Sequence, residues 1–525
     1  MFLDAIFQRL LSVPTLATVI LAAIALNILT TAIYNLFLHP LASHPGPLLS
    51  RALPFAHALR ILSGHGPTDV HALHETYGPV VRLGPNHLSY TDVRAWRDIF
   101  GHRAGADTSE NPKSRLFYRQ SLVRRDGNPV SILDADREEH GRLRRAVAGG
   151  FSERAMTAQE PVIQGYVDLL MRRLREQSGR GKAVVDMVQW YNWTTFDVVG
   201  DLVFAESFGC LEEQRGHTFV DTITNLVEQQ AMFLALKYSG LASIGLVKWT
   251  VNKLLNFMAA DLLKTLHQVM GAKLQHRLDL KEERTDLFEG LMSKREEWNL
   301  GMDRLQANAV LMAAAGSETT ASLLSGATYF LLTNPDVMDK LKDEVRSSFN
   351  SVSDITIASV GRLPYLLAFL NEALRRYPPA VSNLPREVCE GGAIIAGQYI
   401  PEKTIVEIQH YAMNHSSQHW EEPFAFRPDR WLNKVDGAIG EVRESGEEEK
   451  DPDGDRLEAM QVFSMGPRNC VGRNLAYAEM RLIIARVIFE FDLKFAEGGK
   501  EWLHNPEVYT IWKKKPLNVH LTPVN

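Results

Sequence analysis

The sequence predicts a mainly α-helical protein with a small β region and a single N-terminal transmembrane helix. Three observations predict it. No charged residue occurs from Leu10 to Leu38. Between Phe151 and Phe349 most windows repeat their apolar residues at helical period. Strand-like alternation is confined to a few short stretches beside turn residues. The chain has 525 residues, 45% of them hydrophobic, so it can bury a sizeable core. No repeat or linker divides it after residue 50. A formal net charge of −6 argues against non-specific nucleic-acid binding. Cys210, Cys389 and Cys470 are too few for a disulfide framework and fit a reducing environment.

Taken in order, residues 1–10 read as a short tip and 11–38 as the anchor. Leu16–Phe37 alone would span roughly 33 Å as a helix, about the hydrocarbon thickness of a bilayer. Residues 39–50 begin His39-Pro40 and include Pro45-Gly46-Pro47, a stiff, extended hinge that cannot continue the helix. Residues 51–525 form the remaining domain. Within it, Tyr77–Tyr90 reads as a β-hairpin around Gly84-Pro85-Asn86. A second strand pair is expected between Ala393–Tyr399 and Thr404–Gln409. Met302–Thr333 reads as one long helix ended by Asn334-Pro335, and Tyr365–Tyr377 as a helix ended by Pro378-Pro379. Val471–Phe489 reads as a helix near the C-terminus. Asp436–Asp455, acidic and glycine-rich, reads as a solvated surface insertion.

Four constellations carry chemistry. The run Phe463-Ser-Met-Gly466-Pro-Arg468-Asn-Cys470-Val-Gly472 holds one cysteine between two glycines, just before a helix. Free amides and the positive end of the helix dipole favour a thiolate there, which suits a soft metal or a haem iron. In the long helix, Ala315-Gly316-Ser317-Glu318-Thr319 combines small residues, a carboxyl and hydroxyls. The small residues admit a flat cofactor, and hydroxyls bonding back to carbonyls can bend the helix and open a turn. Glu318 and Thr319 then offer a proton donor and a hydroxyl relay. Glu372 and Arg375 lie on one face of an apolar helix, with Arg430 as a candidate further partner. His140 and Arg144 share another helical face.

These motifs, in this order, resemble the cytochrome P450 family. The pattern Phe-x-x-Gly-x-Arg-x-Cys-x-Gly is met at every fixed position. The resemblance implies the P450 fold and makes Cys470 the axial iron ligand of haem b, with Phe463, Gly466 and Gly472 shaping the loop. It places Ala315 and Gly316 against the haem, and gives Thr319 and Glu318 roles in oxygen activation. Glu372, Arg375 and Arg430 become a structural triad, and Arg468, Arg386, Arg144 and His140 become partners of the haem propionates. At position 140 this chain has His where many relatives have Trp.

The anchor and hinge resemble microsomal members, implying an endoplasmic-reticulum protein whose catalytic domain faces the cytosol. On that topology the sequons Asn192-Trp-Thr194 and Asn414-His-Ser416 are discounted. The hinge and the Phe-Arg-Pro-Asp-Arg-Trp form resemble fungal members acting on secondary metabolites. The implied activity is a monooxygenase using O2 on a lipophilic small molecule such as a terpenoid, alkaloid or polyketide. Electrons come from an NADPH–cytochrome P450 reductase, with cytochrome b5 as an optional donor, because no Gly-x-Gly-x-x-Gly loop follows a strand here. Arg142, Arg145 and Arg473 are candidates to dock that donor. Substrate contacts are expected after Phe100, in Thr218–Val251, on the long helix, in Ala380–Leu384 and near Val508–Ile511. An oxidative-coupling or rearrangement catalyst, or a non-catalytic haem-binding membrane protein, are the alternatives.

Overall fold

The computed structural model describes residues 13–102, 110–118, 131–217, 231–240, 268–280, 284–381, 384–432 and 454–524, with isolated positions between 245 and 253. The expected tip at 1–10, the acidic insertion up to residue 453 and most of Thr218–Val251 lie outside these residues.

The principal helices in chain order are α1 (Val13–Ile33), α2 (Phe55–Leu62), α3 (Gly66–Tyr77), α4 (Arg137–Ala148), α5 (Glu153–Gln177), α6 (Met187–Phe204), α7 (Met302–Thr333), α8 (Pro335–Ser348), α9 (Pro364–Arg376) and α10 (Arg473–Glu490). Helix α7 has the bounds its sequence predicts. Its middle is buried almost all round and packs most extensively on α6, whose own residues are nearly all buried. Such all-round apolar helices belong in the middle of a large domain. One core cluster runs from Leu41 to Leu521 and includes residues of α4 to α10.

The apolar helix qualifies as a membrane span over Pro14–Leu38, and its most apolar stretch is not buried against the rest of the protein, although Asn35 near its end is. Its last turn widens to a π-turn at Tyr34–Leu38 before His39-Pro40 stops it. The segment beyond is not extended throughout: residues 39–44 turn, and Leu48–Ala52 form a short helix. Arg82 holds this segment to the domain. Its guanidinium is fully buried and donates to the carbonyls of Asn35 (2.9 Å), Leu41 (3.1 Å) and Pro85 (3.0 and 2.6 Å). Its backbone N–H donates to Pro45 at 2.7 Å. Deleting residues 1–38 is expected to move the protein from the membrane pellet to the soluble fraction in a flotation assay. Unchanged partitioning would place the anchor elsewhere.

The sheet region is small. Strands β1 (Val80–Gly84) and β2 (His87–Tyr90) form the expected hairpin, Val80 opposite Tyr90. Beyond them lie β3 (Val185–Asp186), β4 (Arg386–Glu387), β5 (Ala393–Ile395), β6 (Gln398–Ile400), β7 (Ile405–Glu407), β8 (Phe491–Phe495), β9 (Glu507–Tyr509), β10 (Ile511–Lys513) and β11 (Asn518–Pro523). The second pairing differs from the expected one. Strands β5 and β6 pair with each other across Ala396-Gly397, both at positive φ (49° and 79°), as a two-residue hairpin requires. Strand β7 instead joins the first hairpin, parallel to β2 and antiparallel to β4. An Ala-Gly turn lacks the Asn-Gly signal that marks such hairpins, so the sequence pairing missed it.

Candidate active site

Three elements converge on Cys470. The loop from Phe463 folds back so that the Cys470 N–H donates to the Phe463 carbonyl at 2.8 Å. Gly466 makes this possible. Its φ is +70°, and a Cβ there would lie 2.0 Å from the Phe100 carbonyl oxygen. Helix α10 begins at Arg473 with Gly472 as its N-cap, two residues later than expected, so Cys470 precedes the helix by three residues. A Cβ on Gly472 would meet the Cys470 Sγ at 3.9 Å.

Cys470 is exposed while neighbouring residues of α10 such as Leu475 and Ala478 are buried. Protein nevertheless surrounds the thiol closely. Burial pushes its pKa up, against the Gly472 N–H bond and the charges of Arg144 and Arg473, which favour the thiolate. Desolvation outweighs these contacts. Arg144 donates to the Asn469 carbonyl and to Asn469 Oδ1, both at 2.6 Å. The structure thus places it on the cysteine loop. The Phe463 ring packs on Tyr477 at 5.4 Å.

A cationic cluster lies to one side. Arg468 donates to Glu110 at 2.8 Å and to the Ala135 carbonyl at 3.0 Å. Arg386 is 6% exposed, yet its Nε and Nη1 have no protein partner. His140 is buried, and burial together with Arg468, Lys113, Arg144 and Arg386 lowers its pKa to about 3. Lys113 and Tyr118 complete the group. The Lys113 ammonium lies 4.9 Å from the centre of the Tyr118 ring, and the buried Tyr118 hydroxyl has no partner. Burial, then Arg468 and Arg386, pushes the Lys113 pKa well down. Lys113, Tyr118 and Glu110 were not anticipated from the sequence. They sit in a segment with no motif spacing, and the bridge between Lys113 and Arg386, with the Arg468–Glu110 bond, brings them here.

Helix α7 runs without a break through the predicted oxygen-activation run. Its hydroxyls bond back four residues: Thr319 to Ala315 at 2.6 Å and Thr320 to Gly316 at 3.1 Å. The expected opened turn is therefore not present; each hydroxyl bonds within the helix instead. Ala315 is exposed and Thr319 partly so, although the helix around them is buried. Gly316 faces elsewhere: a Cβ there would meet Val199 of α6 at 3.0 Å, so its missing side chain lets two helices close up. Glu318 is 8% exposed and ion-paired with Lys514, just beyond β10. Lys514 also donates to Ser322 at 2.9 Å and to Asn192 at 3.3 Å. Lys514 stands in a run of three lysines that reads as a solvated face, and only its place beside α7 singles it out.

Glu372, Arg375 and Arg430 are brought together with fully buried side chains. Arg375 grips Glu372 through Nε (2.9 Å) and Nη2 (2.7 Å), and donates onward to the carbonyls of Asn414 and Pro423. Arg430 reaches Glu372 at 3.3 Å, and the Trp431 indole N–H donates to Glu372 at 2.9 Å. A fourth charge joins them. Asp455, assigned to the solvated insertion, is fully buried and paired with Arg430. An otherwise unneutralised guanidinium needs that carboxylate. Asn414 of the second sequon is also buried, donating to the Arg375 carbonyl at 3.2 Å.

An accessible cysteine, small residues on a buried helix and a cluster of cations with orphaned donors form the kind of site that holds a flat, anionic, iron-bearing cofactor. The Cytochrome P450 family model matches residues 45–521. The chain is 44% identical to the cytochrome P450 monooxygenase tpeC of Talaromyces stipitatus, over 97% of this chain and 95% of that protein. It is 40% identical to the cytochrome P450 monooxygenase prhB of Penicillium brasilianum, over 96% and 98%. It is also 40% identical to the trichothecene C-15 hydroxylase of Fusarium sporotrichioides, over 94% and 96%. The chain belongs to the cytochrome P450 family and is a monooxygenase. Members of this family carry a thiolate-ligated haem. The residues here fit that group: Cys470 is presented from its loop, and the unpartnered Arg386 and Tyr118 atoms suit its propionates.

Proposed function

We propose that this enzyme hydroxylates or otherwise oxidises a lipophilic small molecule in fungal secondary metabolism, taking electrons from an NADPH–cytochrome P450 reductase. It sits in the endoplasmic-reticulum membrane with its catalytic domain toward the cytosol. The exposed Cys470 in its glycine-bounded loop, in a chain that the family model matches over residues 45–521, carries this reading. The apolar helix at Pro14–Leu38 supports the membrane location.

When bound, haem b supplies the oxygen activation and the oxidising chemistry. The protein's part is positioning and proton supply. Cys470 provides the iron ligand, and Arg144 and Arg473 stabilise the charge on its sulfur. Arg468, Arg386 and His140 hold the propionate edge. Glu318, once released from Lys514, takes up a proton from solvent and hands it on through Thr319 Oγ1, itself released from the Ala315 carbonyl. Lys514 anchors that carboxyl between turnovers. Arg142, Arg145 and Arg473 offer positive charge to an acidic electron donor.

The variant Thr319→Ala tests the relay. It is expected to keep its haem but to lower product formed per NADPH by about tenfold or more, with hydrogen peroxide rising in proportion. Unchanged coupling would remove Thr319 from proton delivery.

A further inference from the structure

A second cleft in the domain has a polar wall. Helix α2 contributes His57 and Arg60; β7 and the residues after it contribute Glu407 and Gln409. Three atoms on this wall have no protein partner: His57 Nδ1, Arg60 Nη1 and Gln409 Oε1. His57 and Gln409 are each only 6% exposed. Buried donors and acceptors are rarely left unmet, because each then bears its desolvation cost.

The rest of the cluster has a clear structural role. Gln409 Nε2 donates to Glu407 Oε1 at 2.9 Å, and His87 Nε2 lies 3.3 Å from Glu407 Oε2. The carboxylate can only accept, so it fixes the Gln409 amide and leaves Oε1 as a free acceptor. His57 meets His87 and Tyr238 edge-on, each at 4.8 Å. A ligand group here must therefore donate to Gln409 and accept from Arg60. A carbonyl or ether can only accept, a carboxylate would also face Glu407, and an ammonium would face Arg60. A hydroxyl both donates and accepts.

The remaining wall points to substrate. Phe117, Tyr238 and Val508 line the same cleft and come from three segments expected to contact substrate. From Thr510 at its edge, β10 leads to Lys514, which grips Glu318. Four residues of extended chain cover roughly 13 Å, comparable to the length of a mid-sized lipophilic molecule. We propose that this cleft is a specificity subsite that binds a hydroxyl group carried by the lipophilic substrate, away from the carbon that is oxidised. The proposal rests on the monooxygenase reading above and narrows its substrate class to hydroxyl-bearing lipophiles.

The test is equilibrium binding to the full-length holoenzyme, followed by the haem spectral shift and by tryptophan fluorescence. The probes are farnesol, naphthol and the methyl ether of each. Each alcohol is expected to bind about tenfold tighter than its ether, the scale of one buried hydrogen bond. Gln409→Leu should erase that preference and leave ether affinity unchanged. Arg60→Met should weaken alcohol and ether alike, because both accept. The subsite is overturned by three results: no alcohol preference in either pair, a preference that survives Gln409→Leu, or a Gln409→Leu variant that loses only thermal stability. A native protein without the red-shifted carbon-monoxide band of a thiolate-ligated haem would instead defeat the monooxygenase reading. A native band without alcohol preference defeats the subsite alone.

Discussion

Replacing Cys470 with serine is expected to abolish the red-shifted carbon-monoxide difference band and all turnover. A serine hydroxyl is far less acidic than a thiol and far harder as a ligand. The loop itself should survive. Its shape rests on the backbone bond from Cys470 to Phe463 and on Gly466, neither of which involves sulfur. The variant should therefore stay folded, with a circular-dichroism spectrum like the native one, while its spectral signature disappears. The other cysteines provide the control. Cys210 and Cys389 are buried at a distance in sequence from the loop, and serine at either should leave the band in place. A Cys470→Ser protein that kept the band would exclude this ligand.

Glu372→Ala is expected to prevent accumulation of stable holoprotein. The substitution leaves Arg375 and Arg430 buried without their shared carboxylate. Stripping one partner from a buried ion pair costs about 3–5 kcal/mol, a large share of a typical domain stability of about 5–15 kcal/mol. The measurements are haem per polypeptide and thermal unfolding. Arg375→Lys should be intermediate, because a lysine cannot make the two-pronged contact with Glu372. The neighbouring Lys340–Asp429 pair is half-exposed, and Asp429→Ala should leave haem content unchanged.

The same network predicts acid sensitivity. Burial alone would raise the Glu372 pKa, but Arg375 and Arg430 hold it below its ordinary value of 4.5. The folded protein thus binds this proton less readily than the unfolded chain. The stabilisation is present above about pH 4.5 and lost as pH falls through the lower, folded value. Normal haem content in Glu372→Ala would contradict the structural role.

Much of the fold was legible because its signals are local. Helix α7 needed only its periodicity and a terminal Asn-Pro; the first hairpin needed only Gly84-Pro85-Asn86. The second pairing was misread because β7 lies parallel to β2, far away in sequence, and skips the adjacent β5–β6 hairpin to pair with β4. Among the candidate site residues, Cys470, Arg468, Glu372, Arg375 and Thr319 were picked out by fixed spacings. Lys113, Tyr118, Asp455 and Lys514 have no such spacing. Asp455 reads as one more acid in an acidic stretch until Arg430 is placed beside it. Lys514 reads as one more surface lysine until β10 carries it to Glu318, whereas Lys513 next to it stays half-exposed.

The sequence by itself determined the class of protein: a helical domain behind one apolar N-terminal helix, a single cysteine in a glycine-bounded loop, and motifs of acid, hydroxyl and arginine at fixed spacings. Such features depend on covalent neighbours, turn chemistry and helical spacing. The tertiary structure decided which charges are buried, which hydroxyls and amides lack partners, and where Gly316 and Arg144 are used. It also assembled the polar cleft of His57, Arg60 and Gln409 from segments hundreds of residues apart. Desolvation is the physical reason. A charge or an amide costs little in water and much in the interior, and only the packed chain determines which of them leaves the water.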